Sequence, residues 1–249
     1  LYLRLDDGTD ETGPELWRTD GTAAGTYLIK DIREGSDSSG LSELILWEDH
    51  IYFNAYDGTH GYELWQSDGT ENGTFMIKDI YPGDHWTDSS FPSYFTVFND
   101  KLYFQAKDED HGAELWTTDG TENGTILVAD IDSRTMGNGE GYSSSPASIT
   151  VFNDYMYFAA TNASGKELWK SDGTENGTSQ VKDIWLGSTG SIIGGNGAIA
   201  PSNLDTTHES FNKFGIMGDD FYFVAKDTCS SSRCLNLWKS DGTENGTVP

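Results

Sequence analysis

The chain repeats one phrase five times, and this repetition limits its fold more than any other feature. The phrase is Glu-Leu-Trp, two variable residues and Asp-Gly-Thr. It occupies residues 15–22, 63–70, 114–121 and 167–174, and in a fifth copy at 236–243 an Asn replaces the Glu. Its tryptophans lie 48, 51, 53 and 69 residues apart. Recurrence at such a period is typical of repeat architectures, in which each copy forms one structural unit.

The third copy shows the complete unit most clearly. Short β-prone runs lie at 95–98, 101–106, 114–117 and 125–131, and turns rich in Asn, Asp and Gly separate them. This pattern predicts four short strands in an up-and-down antiparallel meander. No segment has convincing helical periodicity.

Both faces of the second strand are largely apolar or aromatic: Leu102, Phe104 and Ala106 on one, Tyr103 on the other. A sheet with one solvated face would alternate more cleanly, so we expect sheets covered on both sides. We therefore predict an all-β, β-propeller-like array of four-stranded antiparallel blades, in one domain spanning 1–249. A string of small separate β units is the alternative. The copies are approximately 1–40, 41–91, 92–146, 147–210 and 211–249; the first and last are incomplete, which indicates a window of a longer array.

The phrase Glu-Leu-Trp-x-x-Asp-Gly-Thr, followed by Gly-Thr and Lys-Asp-Ile, resembles the ELWxxDGT repeat family. The resemblance covers essentially the whole chain and implies an extracellular, propeller-like repeat protein without implying a reaction. The order of strands resembles a kelch blade more loosely. The family often has Ala in the turn before Gly-Thr, as at Ala24, whereas four copies here have Asn.

The amino-acid composition excludes some classes of binding partner. Forty-one acidic against 15 basic residues give a net charge of −26, which repels nucleic acids and anionic membranes. No stretch approaches the length of a membrane helix, so we expect no membrane insertion. Two cysteines, Cys229 and Cys234, favour a short disulfide and an oxidising compartment over a zinc site; two free thiols are the alternative. We expect an extracellular or cell-surface location.

The asparagines that replace Ala in the turns of four copies create N-glycosylation sequons at Asn72, Asn123, Asn176 and Asn245. Asn162-Ala163-Ser164 makes a fifth sequon. Covalent N-glycans on exposed loops are one interpretation. The alternative is that Asn-Gly serves only a turn that needs positive φ.

Two further features are candidate binding sites. Acidic loops contain Asp57, Asp108 and Asp110, which are weak calcium candidates because no copy has EF-hand spacing; no other cofactor is expected. The connections between copies vary in length and carry apolar residues that could pack on another blade or another subunit: Trp86, Trp185, Ile192 and Ile193. Local packing within the connection is the alternative. The repeated tryptophans are expected in the core between blades, although a ring of sugar-binding platforms is the alternative.

These features favour an extracellular, N-glycosylated structural protein, a scaffold, matrix or filament subunit that associates with itself or with other surface proteins. A lectin-like propeller is the alternative, and a propeller glycosidase or lyase is a third. Because no nucleophile, base and orienting acid converge in the sequence, the expectation at this point is that the chain is not an enzyme.

Overall fold

The structure is a computed structural model that describes residues 1–8, 11–137, 139–184, 214–226 and 235–249. Within these residues the regular structure is entirely β, in five antiparallel sheets that we call blades 1 to 5. The all-β array of four-stranded antiparallel sheets expected from the sequence is confirmed. No helix in the described part of the chain is long and apolar enough to cross a membrane.

Each blade uses strands that are consecutive in sequence. They are, in blade 1, β1 (Tyr2–Leu5), β2 (Glu15–Arg18) and β3 (Tyr27–Lys30); in blade 2, β4 (Ser42–Trp47), β5 (His50–Tyr56), β6 (Tyr62–Ser67) and β7 (Phe75–Lys78); in blade 3, β8 (Ser93–Phe98), β9 (Lys101–Asp108), β10 (Gly112–Thr118) and β11 (Ile126–Ala129); in blade 4, β12 (Ala147–Phe152), β13 (Tyr155–Asn162), β14 (Gly165–Ser171) and β15 (Ser179–Lys182); in blade 5, β16 (Gly215–Met217), β17 (Asp220–Lys226) and β18 (Leu235–Ser240).

The chain divides into two compact units, and the division passes through blade 3. The first unit comprises Leu1–Leu102, Ala106–Glu109 and Thr118–Ile126. The second comprises Tyr103–Gln105, Asp110–Thr117 and Leu127–Pro249. The contacts described below between successive blades each lie within one unit.

Every blade is a meander in which neighbours in sequence are neighbours in the sheet, for example β4-β5-β6-β7 in blade 2. Tight turns close the first hairpins. In blade 3 both turn residues, Asn99 and Asp100, have positive φ, as a two-residue hairpin of right-handed twist requires.

This topology gives each blade two ends with different content. The turn between the first two strands and the Asp-Gly-Thr turn between the last two lie at one end, which we call the turn end. The loop between the second and third strands and the connection to the next blade lie at the other, which we call the loop end. Alternating strand direction in a meander produces this separation.

The core lies between successive blades. In β5, five consecutive residues from Ile51 to Ala55 are all buried, and Phe53 is 0% exposed. One cluster joins Leu16 and Ile29 of blade 1 to Phe53 and Trp65 of blade 2. Another cluster joins blades 4 and 5: Tyr157, Leu168, Phe221 and Trp238 are among its members. Covering both faces of each sheet explains why the strands are not cleanly alternating in sequence.

Candidate functional site

The Asp-Gly-Thr turn, which carries the four repeated sequons, is held by hydrogen bonds among its own side chains. In blade 2, Asp68 Oδ1 accepts hydrogen bonds from the backbone N–H and the hydroxyl of Thr70, at 2.8 and 2.7 Å. The Thr70 hydroxyl oxygen accepts from Gly73 N at 3.0 Å. A methyl group at Gly73 would overlap the Asp68 carboxylate, so glycine is required there. These contacts recur in all five copies, which makes the turn rigid.

The four sequon asparagines, Asn72, Asn123, Asn176 and Asn245, are exposed at the turn ends of blades 2 to 5. None of the four is among the non-glycine residues with positive φ. In blade 1 Ala24 occupies the same position, and the same Gly N to Thr hydroxyl bond forms there at 3.0 Å. The backbone of this turn therefore does not require asparagine, and the positive φ that the turn-chemistry interpretation assumed does not occur at these four positions.

Asn162 is placed differently. It is half-buried, its Nδ2 contacts Gln180 Oε1 at 3.4 Å, and its Oδ1 accepts two hydrogen bonds from Ser164. This fifth sequon lies at the loop end of blade 4 with its amide engaged. Its side chain is therefore less accessible than those of the four repeated asparagines.

Successive blades are joined at the turn ends by a lysine and a tyrosine. Lys30 Nζ donates to the carbonyl of Thr74 in the next blade at 2.8 Å, and Lys78 and Lys182 donate likewise to Thr125 and Thr247. We call these contacts the lysine latches. Blade 3 has Ala129 at the corresponding position. At all four junctions, including the one after blade 3 that has no latch, a tyrosine hydroxyl lies against the turn glycine of the next blade; the pairs are Tyr2 with Gly69, Tyr52 with Gly120, Tyr103 with Gly173 and Tyr157 with Gly242.

At the loop end, the repeated glutamate holds the connection to the next blade at both of its ends. Glu63 is 0% exposed; one carboxylate oxygen accepts from Ile80 N and the other from Ser90 N, both at 2.9 Å. The Ser90 hydroxyl lies 2.5 Å from Glu63 Oε2. We call this arrangement the glutamate clamp. In blades 1 and 3 the glutamate accepts from the two corresponding backbone N–H groups, and in blade 3 the Ser144 hydroxyl also bonds Glu114. In blade 4 Glu167 accepts from Ile184 N.

Burial shifts the protonation of the clamp. Loss of hydration raises the pKa of Glu63 to about 8 and that of Glu114 to about 7, and it raises the pKa of Glu15 above its ordinary value. A protonated Glu63 can donate to Ser90 Oγ, whose own proton can then reach the Tyr62 carbonyl at 3.2 Å. The neutral form thus satisfies every polar atom of the clamp.

The loop end of blade 2 presents a cluster of aromatic side chains. Phe91, 44% exposed, stacks on Tyr62 with ring centroids 5.4 Å apart, and Tyr62 contacts Tyr56 at 5.5 Å. The guanidinium of Arg33 lies over Tyr56 at 4.9 Å. We call Tyr56, Tyr62 and Phe91 the aromatic patch.

The Trp86 loop lies beside this patch. Trp86 is 57% exposed, and its carbonyl accepts a hydrogen bond from Ser89 Oγ at 2.7 Å. The same Ser89 oxygen accepts from Tyr62 N at 2.8 Å, and Asp88 N donates to His85 O at 2.8 Å. The predicted partner-contact residue Trp86 is therefore a solvent-facing ring on a fixed turn.

The acidic loops are organised by hydrogen bonds within the chain. Asp57 Oδ1 accepts from Thr59 N and His60 N, while Oδ2 lies 2.7 Å from His60 Nδ1. These contacts lower the pKa of Asp57 against the opposing effect of burial, and its carboxylate raises the pKa of His60. Asp108 is half-buried and Asp110 is exposed. In the part of the chain that the structure describes, no three or more His, Cys, Asp or Glu residues are grouped to hold a metal ion.

Other predicted site residues lie outside the described residues. They are Cys229 and Cys234 of the expected disulfide, and Trp185, Ile192 and Ile193 of the longest connection. The repeated tryptophans of blades 2 to 5 are buried and Trp17 is half-buried, so they belong to the core.

Sequence reasoning missed the clamp, the latches and the aromatic patch. The signal for the clamp and latches was present, since the Glu of the phrase and the Lys of Lys-Asp-Ile recur once per copy. The aromatic patch could not be found from recurrence, because its residues occur in one copy only. Its three residues depart from the repeat, and only the fold brings them together.

No protein-family model matches this chain, and no curated protein matches it significantly. Similar solved structures are a puromycin hydrolase (14% identity, TM-score 0.51, 92% of this chain and 32% of that one), its S511A mutant complexed with PGG (12%, 0.50, 88% and 29%) and a prolyl endopeptidase (11%, 0.52, 99% and 32%). At these identities the likeness shows the fold, which is that of a β-propeller. The chain spans about a third of the length of these proteins.

The expectation that the chain is not an enzyme is wrong. Its similar structures are hydrolases, so the propeller fold is found within enzymes. The sequence argument was too strong, because a repeat without a convergent nucleophile, base and acid does not by itself exclude an enzyme.

Proposed function

We propose that this chain is a β-propeller scaffold of an extracellular, N-glycosylated protein, with glycans on the turn ends of its blades and partner contacts on the loop ends. The clamps, latches and buried tryptophans use the repeated residues to hold blade to blade. The four repeated sequon asparagines lie at the turn ends of blades 2 to 5, and the aromatic patch lies at the loop end of blade 2.

The position of the four sequon asparagines carries this proposal. Each is exposed on the same turn of successive blades, and Ala24 forms that turn equally well. A repeated asparagine that the backbone does not need is explained by a covalent modification. The net charge of −26 suits a soluble surface facing outward.

Glycopeptide mass spectrometry on native material tests the proposal. We expect glycan masses on peptides containing Asn72, Asn123, Asn176 and Asn245, and the unmodified turn of Ala24 is an internal control. Bare asparagine at all four sites would refute the glycoprotein assignment. Electron microscopy and sedimentation of the same material would then test assembly: ordered oligomers support a scaffold, and a monomer at high concentration contradicts it.

A second candidate function, carbohydrate binding, is favoured by the aromatic patch. Its rings stand where other copies have no aromatic residue: Phe91 corresponds to Gly40 and Ser145, and Tyr62 to Pro14 and Ala113. Phe91 has φ of +46°, a conformation disfavoured for a bulky residue. Because Tyr62 covers one face of Phe91, its other face is a flat platform for the C–H face of a sugar ring.

Glycan-array binding before and after Phe91→Ser tests this candidate, because Ser145 already occupies the same positive-φ position in blade 3. Phe75→Ala is the matched control, since Phe75 is equally exposed at 44% but lies in β7 by the turn end. Loss of binding with F91S and not with F75A supports the site. Absence of binding to every glycan excludes it.

The likeness to hydrolases supports a third candidate, in which the chain is the propeller part of a larger hydrolase. Peptide and aminonucleoside-amide hydrolysis by native full-length material, with a serine-hydrolase activity probe, tests it. Turnover that copurifies with this chain supports the candidate, and inert native material rejects it.

A further inference from the structure

The threonines of the four repeated sequons are not equally accessible. This difference bears on which of the proposed glycosylation sites can still be modified after the chain has folded. Thr74 is 0% exposed; its hydroxyl lies 2.6 Å from Ser67 Oγ and donates to Thr70 O at 2.7 Å. Thr125 and Thr247 are equally buried and make the same bonds. Thr178 makes them too but is only half-buried.

The lysine latches explain the difference. Thr74, Thr125 and Thr247 each receive a lysine of the preceding blade on their carbonyl. Thr178 follows the blade in which Ala129 stands at the latch position, and no lysine donor reaches it from there. Burial of the threonine thus follows the latch.

A glycosyl transfer to these sites needs both ends of the sequon. The asparagine Nδ2 attacks the anomeric carbon of a lipid-phosphate-linked glycan, the N–C bond forms, the C–O bond to phosphate breaks, and Nδ2 loses a proton. The hydroxyl two residues later is part of the acceptor sequence, so the transferase must reach it. The two hydrogen bonds of that hydroxyl are the same in latched and unlatched turns, but in a latched turn the threonine is also completely buried.

We propose that Asn72, Asn123 and Asn245 accept glycans only before their blades fold and latch, whereas Asn176 still accepts a glycan in the folded chain. This inference rests on the proposed glycosylation and adds its order. The latch acts as the closing step: once the preceding lysine binds the threonine carbonyl, the site is no longer an acceptor.

The test uses chain made without glycans, a purified oligosaccharyltransferase and a fluorescent lipid-linked glycan. The folded chain and its proteolytic peptides are modified in parallel, and sites are quantified by mass spectrometry. We expect all four peptides to be modified. In the folded chain we expect Asn176 to react at least tenfold faster than the three latched sites.

Two variants separate the latch from general stability. Lys30→Ala should open Asn72 in the folded chain, with Asn123 as internal control, and Ala129→Lys should close Asn176. Equal rates for folded chain and peptide at Asn72 would overturn the order while leaving glycosylation intact. If no peptide is modified at any site, both the order and the glycoprotein assignment are refuted.

Discussion

One buried side chain per blade decides how the next blade is attached. The clamp glutamate is 0% exposed in blades 1 to 4. Its carboxylate oxygens accept hydrogen bonds from backbone N–H groups in the connection to the next blade. Burying a carboxyl group is costly unless it is hydrogen-bonded or neutral, and this group is both bonded and shifted toward neutrality.

The clamp predicts stability that depends on pH. Because the folded chain holds the pKa of Glu63 at about 8 and that of Glu114 at about 7, it binds these protons more tightly than the unfolded chain does. The stabilisation is complete below the ordinary pKa of glutamate and is lost as the pH rises through 7 to 8. We expect the Tm to fall by several degrees between pH 5 and pH 9, as measured by calorimetry.

Glu63→Gln together with Glu114→Gln is the control for this titration. The double variant should be less stable at pH 5, since each amide mismatches one N–H donor, and its Tm should change less between pH 6 and pH 9. The same pH slope in both proteins would assign the effect to other groups.

At the scale of the elements, the Asp-Gly-Thr turn protects its own asparagine. Succinimide formation at Asn72 requires the Gly73 nitrogen to attack the side-chain carbonyl, but that N–H donates to the Thr70 hydroxyl. We expect Thr70→Ala to accelerate deamidation at Asn72 severalfold in unglycosylated protein. Peptide mapping of isoaspartate would measure it, with Asn123 as internal control; an unchanged rate at Asn72 would show that the bond gives no protection.

The latch between blades has a measurable energy. Lys78→Ala removes a charge-assisted hydrogen bond to the Thr125 carbonyl and should lower the free energy of unfolding by about 1–2 kcal/mol. Ala129→Lys supplies the donor that blade 3 does not have and should add up to about 1 kcal/mol. Denaturant unfolding measures both, and Lys101→Ala, at an exposed lysine, is the control. A loss as large in K101A as in K78A would contradict the latch.

At the scale of the whole molecule, the large negative net charge lowers the stability of the folded chain. With 41 acidic and 15 basic residues, mutual repulsion should destabilise the folded chain at low ionic strength. We expect the Tm to rise as NaCl increases from about 0.01 M to about 1 M, because screening shortens the range of repulsion. A Tm independent of salt would mean that the charges are already compensated by bound counterions.

The sequence predicted this fold well because repetition multiplies a weak signal. The four-strand pattern of residues 95–131 holds for blades 2 to 4, and three strands of it are described in blades 1 and 5. The sites were harder to foresee. Phe91, Tyr62 and Tyr56 meet only across a loop, and the bond from Lys30 to Thr74 spans 44 residues between blades. Local pattern does not encode which surfaces of two copies come into contact.

Because the clamp fixes both ends of the connection between blades, the connection can vary in length without changing the blades that it joins. Its first N–H donor always lies 17 residues after the glutamate, whereas the second lies 24, 27 and 30 residues after it in blades 1 to 3. Each longer excursion therefore leaves and returns through the same two anchor points, and loop-closure entropy rises only slowly with length. The chain is in this respect a natural display frame, in which a foreign peptide grafted between Ile131 and Ser144 would be presented to solvent while the sheets beneath it stay unchanged.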